Sequence, residues 1–182
     1  MKALKKICTA LMLLAFAFVF ASCSNGSDSD DDDDQSITLS DGSYTLAITK
    51  TSDGMVEKYD IKATASNESW TFKSGSKTQT VDLTKQMTTD ELAKFKEMDD
   101  DDKKAMTKKE MSLPDDAEIS FADNKVIVKS TLSAAELTEM QEDYKLSSIP
   151  SDAKIKTIKD NEYEITMSTK EWETIVFHVN KD

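Results

Sequence analysis

The chain has 182 residues, 35 of them acidic against 23 basic, with one histidine and a formal net charge of −12. A surface this acidic offers no electrostatic footprint for phosphate, which excludes nucleic acid as an expected partner. All 23 basic residues are lysine; without arginine there is no bidentate fork for carboxylate or phosphate and no arginine finger for phosphoryl transfer.

Lys2, Lys5 and Lys6 open the chain, Leu11 to Ala21 is an almost unbroken apolar run, and small residues precede Cys23. A basic start, a short apolar run and small residues at the cut describe a secretory signal over residues 1–22. At about 1.5 Å per residue the run is too short for a permanent helix through a ~30 Å hydrocarbon core. The sequence Phe20-Ala21-Ser22-Cys23 resembles the lipobox of bacterial lipoproteins, with Phe20 where Leu is usual. The resemblance implies cleavage between Ser22 and Cys23, a lipid on the Cys23 thiol, and a mature chain anchored to the membrane. Ser24 rather than Asp after the cysteine favours the outer membrane or cell surface. An ordinary signal peptide that leaves Cys23 as a free thiol is the alternative. Each buried CH₂ contributes about 0.8 kcal/mol and one acyl chain holds only marginally, so anchoring needs two or three chains.

Loss of residues 1–22 removes three lysines and no acid. The mature chain is therefore still more acidic and is repelled by anionic headgroups. Cys8 leaves with the signal, so the folded part is expected to have no disulfide, cysteine nucleophile or thiolate metal site.

Ser24 to Ser36 has no apolar residue and six aspartates, Asp28 and Asp30 to Asp34. Like charges repel, and residues 23–36 read as an extended, disordered tether after the lipidated cysteine. Asp30, Asp32 and Asp34 have EF-hand spacing, but Gln35 stands where that loop needs Gly and no helices flank it, so no calcium site is expected. The remaining residues, 37–182, are enough for a single domain with one core.

Period-two alternation begins at Tyr44, Leu46 and Ile48, and Ser52-Asp53-Gly54 signals a turn. Tyr59, Ile61, Ala63 and Ala65 alternate next, Asn67-Glu68 breaks the run, and Trp70 and Phe72 resume it. Gly75 reads as a further turn before Gln79, Val81 and Leu83. These are half-buried antiparallel strands joined by hairpins. Thr88 and Glu91 have capping-box spacing ahead of Leu92, Phe95 and Met98. Asp102 is expected to cap a second short helix holding Met106, ended by Pro114. Ile119 and Phe121 meet Val126 and Val128 across Asp123-Asn124, a pair that tolerates positive φ. Ser133 opens the clearest helix, with Leu137, Met140 and Tyr144 on one face. Ile155 to Ile158 meets Tyr163, Ile165 and Met167 across Asp160-Asn161, and a last strand is expected from Trp172 to Val179.

Motifs for chemistry are sparse. His178 lies in the last strand; one histidine cannot build a multi-histidine zinc site, and a structural hydrogen bond is the expected role. There is no Gly-x-Ser-x-Gly elbow, Walker loop or His-Glu-x-x-His. The acidic pairs Glu162/Glu164 and Asp115/Asp116, and the run Asp99 to Asp102, read as solvated faces. Met87, Met98, Met106 and Met111 read as core filler and not as a copper site, because Met-x-x-Met repeats are absent. The strand aromatics should form the core, or line a cavity if the sheet curls.

The expected fold is β-rich α+β, with about nine antiparallel strands and two or three helices on one face of the sheet. A lipocalin-like β-barrel with helical insertions is the alternative. The expected function is that of an envelope lipoprotein with a noncatalytic binding module for a small apolar ligand or an envelope or host protein. A structural or assembly role in the envelope is the alternative. No catalytic residue, cofactor or metal is expected, and Cys23 is the one site residue assigned.

Overall fold

The computed structural model of the protein describes residues 37, 39–66, 69–145 and 149–182. The expected signal, Cys23 and the acidic run to residue 36 lie outside the described residues, as do Asn67 and Glu68. Eight strands are described: β1 (Gly42–Ser52), β2 (Met55–Ser66), β3 (Ser69–Asp82), β4 (Glu118–Ala122), β5 (Lys125–Thr131), β6 (Lys154–Lys159), β7 (Glu162–Met167) and β8 (Thr174–Lys181). The helices are α1 (Leu83–Gln86), α2 (Thr89–Glu97), α3 (Asp100–Glu110) and α4 (Ala134–Asp143).

The strands form one antiparallel sheet in the order β4-β5-β3-β2-β1-β8-β7-β6. The chain is thus β-rich with helices, as its patterning indicates; the described residues hold eight strands where about nine were expected and four helices where two or three were. The sheet stays open. Its edges are β4, only five residues long, and β6, which carries Lys154, Lys156 and Lys159. Short or lysine-bearing edges resist further pairing, and the barrel alternative finds no support in this topology.

Alternation decides which face is covered. Tyr44, Leu46 and Ile48 of β1, Tyr59, Ile61, Ala63 and Ala65 of β2, and Ile175, Phe177 and Val179 of β8 are all buried. Register places them side by side: Leu46 lies between Ile61 and Val179, and Ile48 between Tyr59 and Phe177. The opposite parity, with Thr45, Ala47 and Thr49, forms the outer face.

Strand β3 is continuous through Gly75, where a turn was expected. The register shifts between Lys62 and Ala63, which pair with Ser74 and Phe72 and leave Lys73 as the extra residue. Such a bulge reverses parity. It lets even-numbered Trp70 and Phe72 share the covered face with odd-numbered Gln79 and Val81. Gly75 is needed for close approach rather than for turning. A Cβ there would lie 2.9 Å from Leu132 Cδ1 and 3.0 Å from the Asp60 carbonyl oxygen. A second shift, between Thr157 and Lys159 of β6, accompanies the exposure of Ile158 while Ile155 packs on the core.

The two-residue hairpin at Asp123-Asn124 has φ of 50° and 61°, the twist-compatible geometry its residues predict. Beyond β3 the chain departs from expectation. Leu83 begins helix α1, capped by Asp82, whose Oδ1 accepts from the Thr84 amide at 2.9 Å. The Thr88–Glu91 capping box opens α2 as expected. Asp99, not Asp102, caps α3, accepting from the Asp102 amide at 2.8 Å. The three-residue spacing suits the cap, and it makes Asp102 the donor. The Ser133–Glu136 capping box opens α4.

Two main clusters, with a small third one around Val81, fill the covered face. The larger joins β1, β2, β7, β8 and the start of β3 to Leu137, Met140 and Tyr144, under α4. The smaller sets Leu83 and Phe95 on Val126 and Val128 of β5. All four methionines of the helical stretch pack against this second cluster, in keeping with an adaptable filler.

Candidate ligand-binding cleft

Three neighbouring strands interrupt their apolar parity at the same level. On β1 the series Tyr44, Leu46, Ile48 continues to Lys50; on β2 Tyr59 is preceded by Glu57; on β3 Val81 is preceded by Gln79 and Lys77. Register brings them together: Lys50 pairs with Glu57, Glu57 with Gln79, and Tyr59 with Lys77. A polar row therefore crosses the covered face.

Glu57 is the centre of this row and is buried. Its Oε2 accepts from the Tyr59 hydroxyl at 2.6 Å, and its Oε1 from Gln79 Nε2 at 3.1 Å. The Lys77 ammonium lies 2.9 Å from Oε1. A buried carboxylate is tolerated only when its oxygens are paired in this way. Burial, then the Glu57 charge and its hydrogen bond, push the Tyr59 phenol far above its ordinary pKa.

Lys50 extends over three rings, with its Nζ 5.3 Å from the centroid of Tyr59, 5.4 Å from Tyr144 and 5.5 Å from Trp172. Trp172 was expected in the last strand; it precedes β8 and folds over the covered face, where it is buried. Burial lowers the Lys50 pKa, while attraction to Glu57 and then Asp143 opposes that shift. The ring faces favour the charged amine. The Tyr144 hydroxyl is buried with no hydrogen-bond partner among the described residues, and burial raises its pKa strongly. Two further bonds fix this wall: Trp70 Nε1 donates to the Tyr144 carbonyl at 2.9 Å, and the Phe72 amide, beside the bulge, donates to Gln141 Oε1 at 2.9 Å.

The polar row opens into a cleft of about 430 Å³. Lys77, Gln79, Val128 and Ser130 form its floor on β3 and β5. Met111, Leu113 and Pro114, just after α3, make one wall, and Ser133 and Glu136 at the start of α4 make the other. The cleft is the seam between the two helical covers. Its size falls within the range of about 300–1,000 Å³ typical of small-molecule sites.

Sequence-assigned groups lie elsewhere. Cys23 is outside the described residues. His178 is on the outer face of β8, opposite Glu164 of β7, with Nδ1 3.6 Å from Glu164 Oε2 and both side chains partly exposed. Asp115, Asp116 and Asp99 to Asp102 are exposed. Among the described residues no group of three or more His, Cys, Asp or Glu side chains is placed to hold a metal ion. Sequence reasoning missed Lys50, Glu57, Lys77 and Gln79. The available signal was charge on the apolar parity of three consecutive strands. Comparison with protein-family models, curated proteins and solved structures gives no match to this chain.

Proposed function

We propose that this chain is an exported lipoprotein, held to the outer membrane or cell surface by lipid on Cys23, whose domain binds a small, largely apolar molecule without transforming it. The observation that carries the reading is the cleft at the seam of the two covers, apolar on one wall and polar at its floor. A polar row of this kind is costly to bury, and an all-apolar face would have stabilised the sheet more simply; its retention next to a cleft favours recognition. The groups at the floor form a mutually bonded set around Glu57, with Tyr59, Gln79 and Lys77 all directed at its two oxygens, which suits binding better than proton transfer. Ile158, 52% exposed, is the one large apolar side chain in that state among the described residues. A single side chain is far short of the patch of a few hundred Å² that partner docking uses. For that reason ligand binding is preferred to a structural or assembly role.

Native mass spectrometry of the protein released from its source membranes tests the reading. A small-molecule adduct should accompany the wild-type chain and be lost from Leu113→Trp, which fills the cleft. The absence of any adduct, or an equal adduct on both, would turn the account toward an assembly role. Anchoring is tested separately: Cys23→Ser should abolish partitioning into detergent, and unchanged partitioning would remove the anchor.

A further inference from the structure

We infer that the ligand of the cleft is an amphiphile with a carboxylate head and an apolar chain, and that Lys77 receives the head. The inference rests on the cleft being a ligand site.

Lys77 stands on the covered face of β3, where alternation calls for an apolar side chain. Its side chain keeps 21% of its exposure and lines the cleft. Among the described residues Glu57 is its one carboxylate partner, and its ammonium also lies 5.5 Å from the Tyr59 ring centroid. An ammonium has three N–H donors, so contact with Glu57 leaves donors for an oxygen arriving from the cleft. Lys77 can keep its contact with Glu57 while it donates to the ligand, and Tyr59 and Gln79 continue to donate to that carboxylate.

Lys50 and Lys77 flank the same Tyr59 ring and both face Glu57, the one buried carboxylate among the described residues; Asp143, Glu171 and Glu139 attract Lys50 as well, so the donors left free for a ligand are those of Lys77. No carboxylate among the described residues lies within 4.0 Å of the Lys50 amine. Glu136 also lines the cleft, but its Oε2 accepts from the Ser133 amide at 2.8 Å and the Ser133 hydroxyl at 2.7 Å. That carboxylate is committed to the N-terminus of α4. An incoming anion would therefore meet, at Lys77, an ammonium with donors to spare in a partly desolvated site, where charge-assisted hydrogen bonds are strong. A neutral head gains less, and a cationic head is repelled. The wall of Met111, Leu113 and Pro114, with Val128 beneath, accounts for the apolar chain.

The test uses the exported chain carrying Cys23→Ser, which retains the whole domain and needs no detergent. Decanoate, decanol and decyltrimethylammonium, equal in chain length, are titrated calorimetrically at neutral pH. Decanoate should bind at least about tenfold tighter than either of the others. The double variant Glu57→Gln/Lys77→Met, which removes both charges and leaves neither buried alone, should lose that preference while still binding decanol. Equal affinities for the three probes would overturn the head-group assignment and leave the cleft reading standing. No binding of any probe, alongside a native adduct lost in Leu113→Trp, would overturn the apolar-chain class alone. No probe binding and no adduct would overturn both.

Discussion

The two halves of the covered face are built differently. Over β1, β2, β7 and β8 the core is aromatic and its rings are fixed at their edges. Tyr144 meets Phe177 edge-on at 4.8 Å, Trp70 donates to the Tyr144 carbonyl, and the Tyr44 hydroxyl donates to the Ser40 carbonyl at 2.8 Å. Over β4 and β5 the core is small, Leu83, Phe95, Val126 and Val128, with methionines around it. Directional bonds make the first half rigid; thioether side chains make the second adaptable. The cleft takes its charged floor from strands that run into the first half and its apolar wall from the second. A precise head-group site beside an adjustable wall suits a ligand with one polar end.

The largest test of this contrast is alkali. Burial, first of all, raises the phenols of both Tyr59 and Tyr144, and both lie in the aromatic half. Each is protonated in the folded state at a pH where the unfolded chain, with its ordinary value of 10.0, has lost the proton. Their contribution is complete below pH 10.0 and is lost as the pH rises toward the folded values. Lys50 has the opposite sign: its lowered pKa relieves a cost as the pH rises toward 10.5, one amine against two phenols. Ultraviolet titration should show part of the phenolate signal appearing only together with loss of circular dichroism. Smooth ionisation of all four tyrosines without unfolding would contradict the burial described.

Ring deletion should separate the halves. Phe177→Ala should cost about 5 kcal/mol and Phe95→Ala about 3 kcal/mol, because methionines can close part of the second cavity. Urea unfolding measures both, and equal costs would remove the distinction between a rigid and an adaptable half. Glu57→Ala should cost about 3 kcal/mol by stranding Lys77, whereas Glu57→Gln/Lys77→Met should cost clearly less. If the double variant were the less stable, the row would be a structural ion pair and not a recognition device. Gly75→Ala, at the bulged strand joining the halves, should cost about 2 kcal/mol through contact with Leu132 and the Asp60 carbonyl. The smallest effects are expected at the caps. Ser133→Ala and Thr88→Ala should each cost about 1 kcal/mol, read by hydrogen exchange in α4 and α2 respectively.

Much of the aromatic half was legible in the sequence. Alternation in β1, β2 and β8 is uninterrupted over several residues, and both capping boxes sit where Thr88 and Ser133 place them. The β3 bulge was not legible. Gly75 in a strand and Gly75 in a turn leave the same local signal, and only the packing of Leu132 and Ile61 against it distinguishes them. Helix α1 was hidden because Leu83 continues the parity of Val81. The site stayed unread for a different reason. Lys50, Glu57 and Lys77 each break the apolar parity of their own strand, but only register makes them neighbours.

The most direct test of the seam as a binding site is amide chemical-shift mapping of the Cys23→Ser chain titrated with decanoate. The account predicts saturable shifts centred on Gln79, Val128, Ser130 and Leu113, at the floor and wall of the cleft. Shifts centred on the outer face around Ala47 and His178, or no saturable shifts at all, would contradict it.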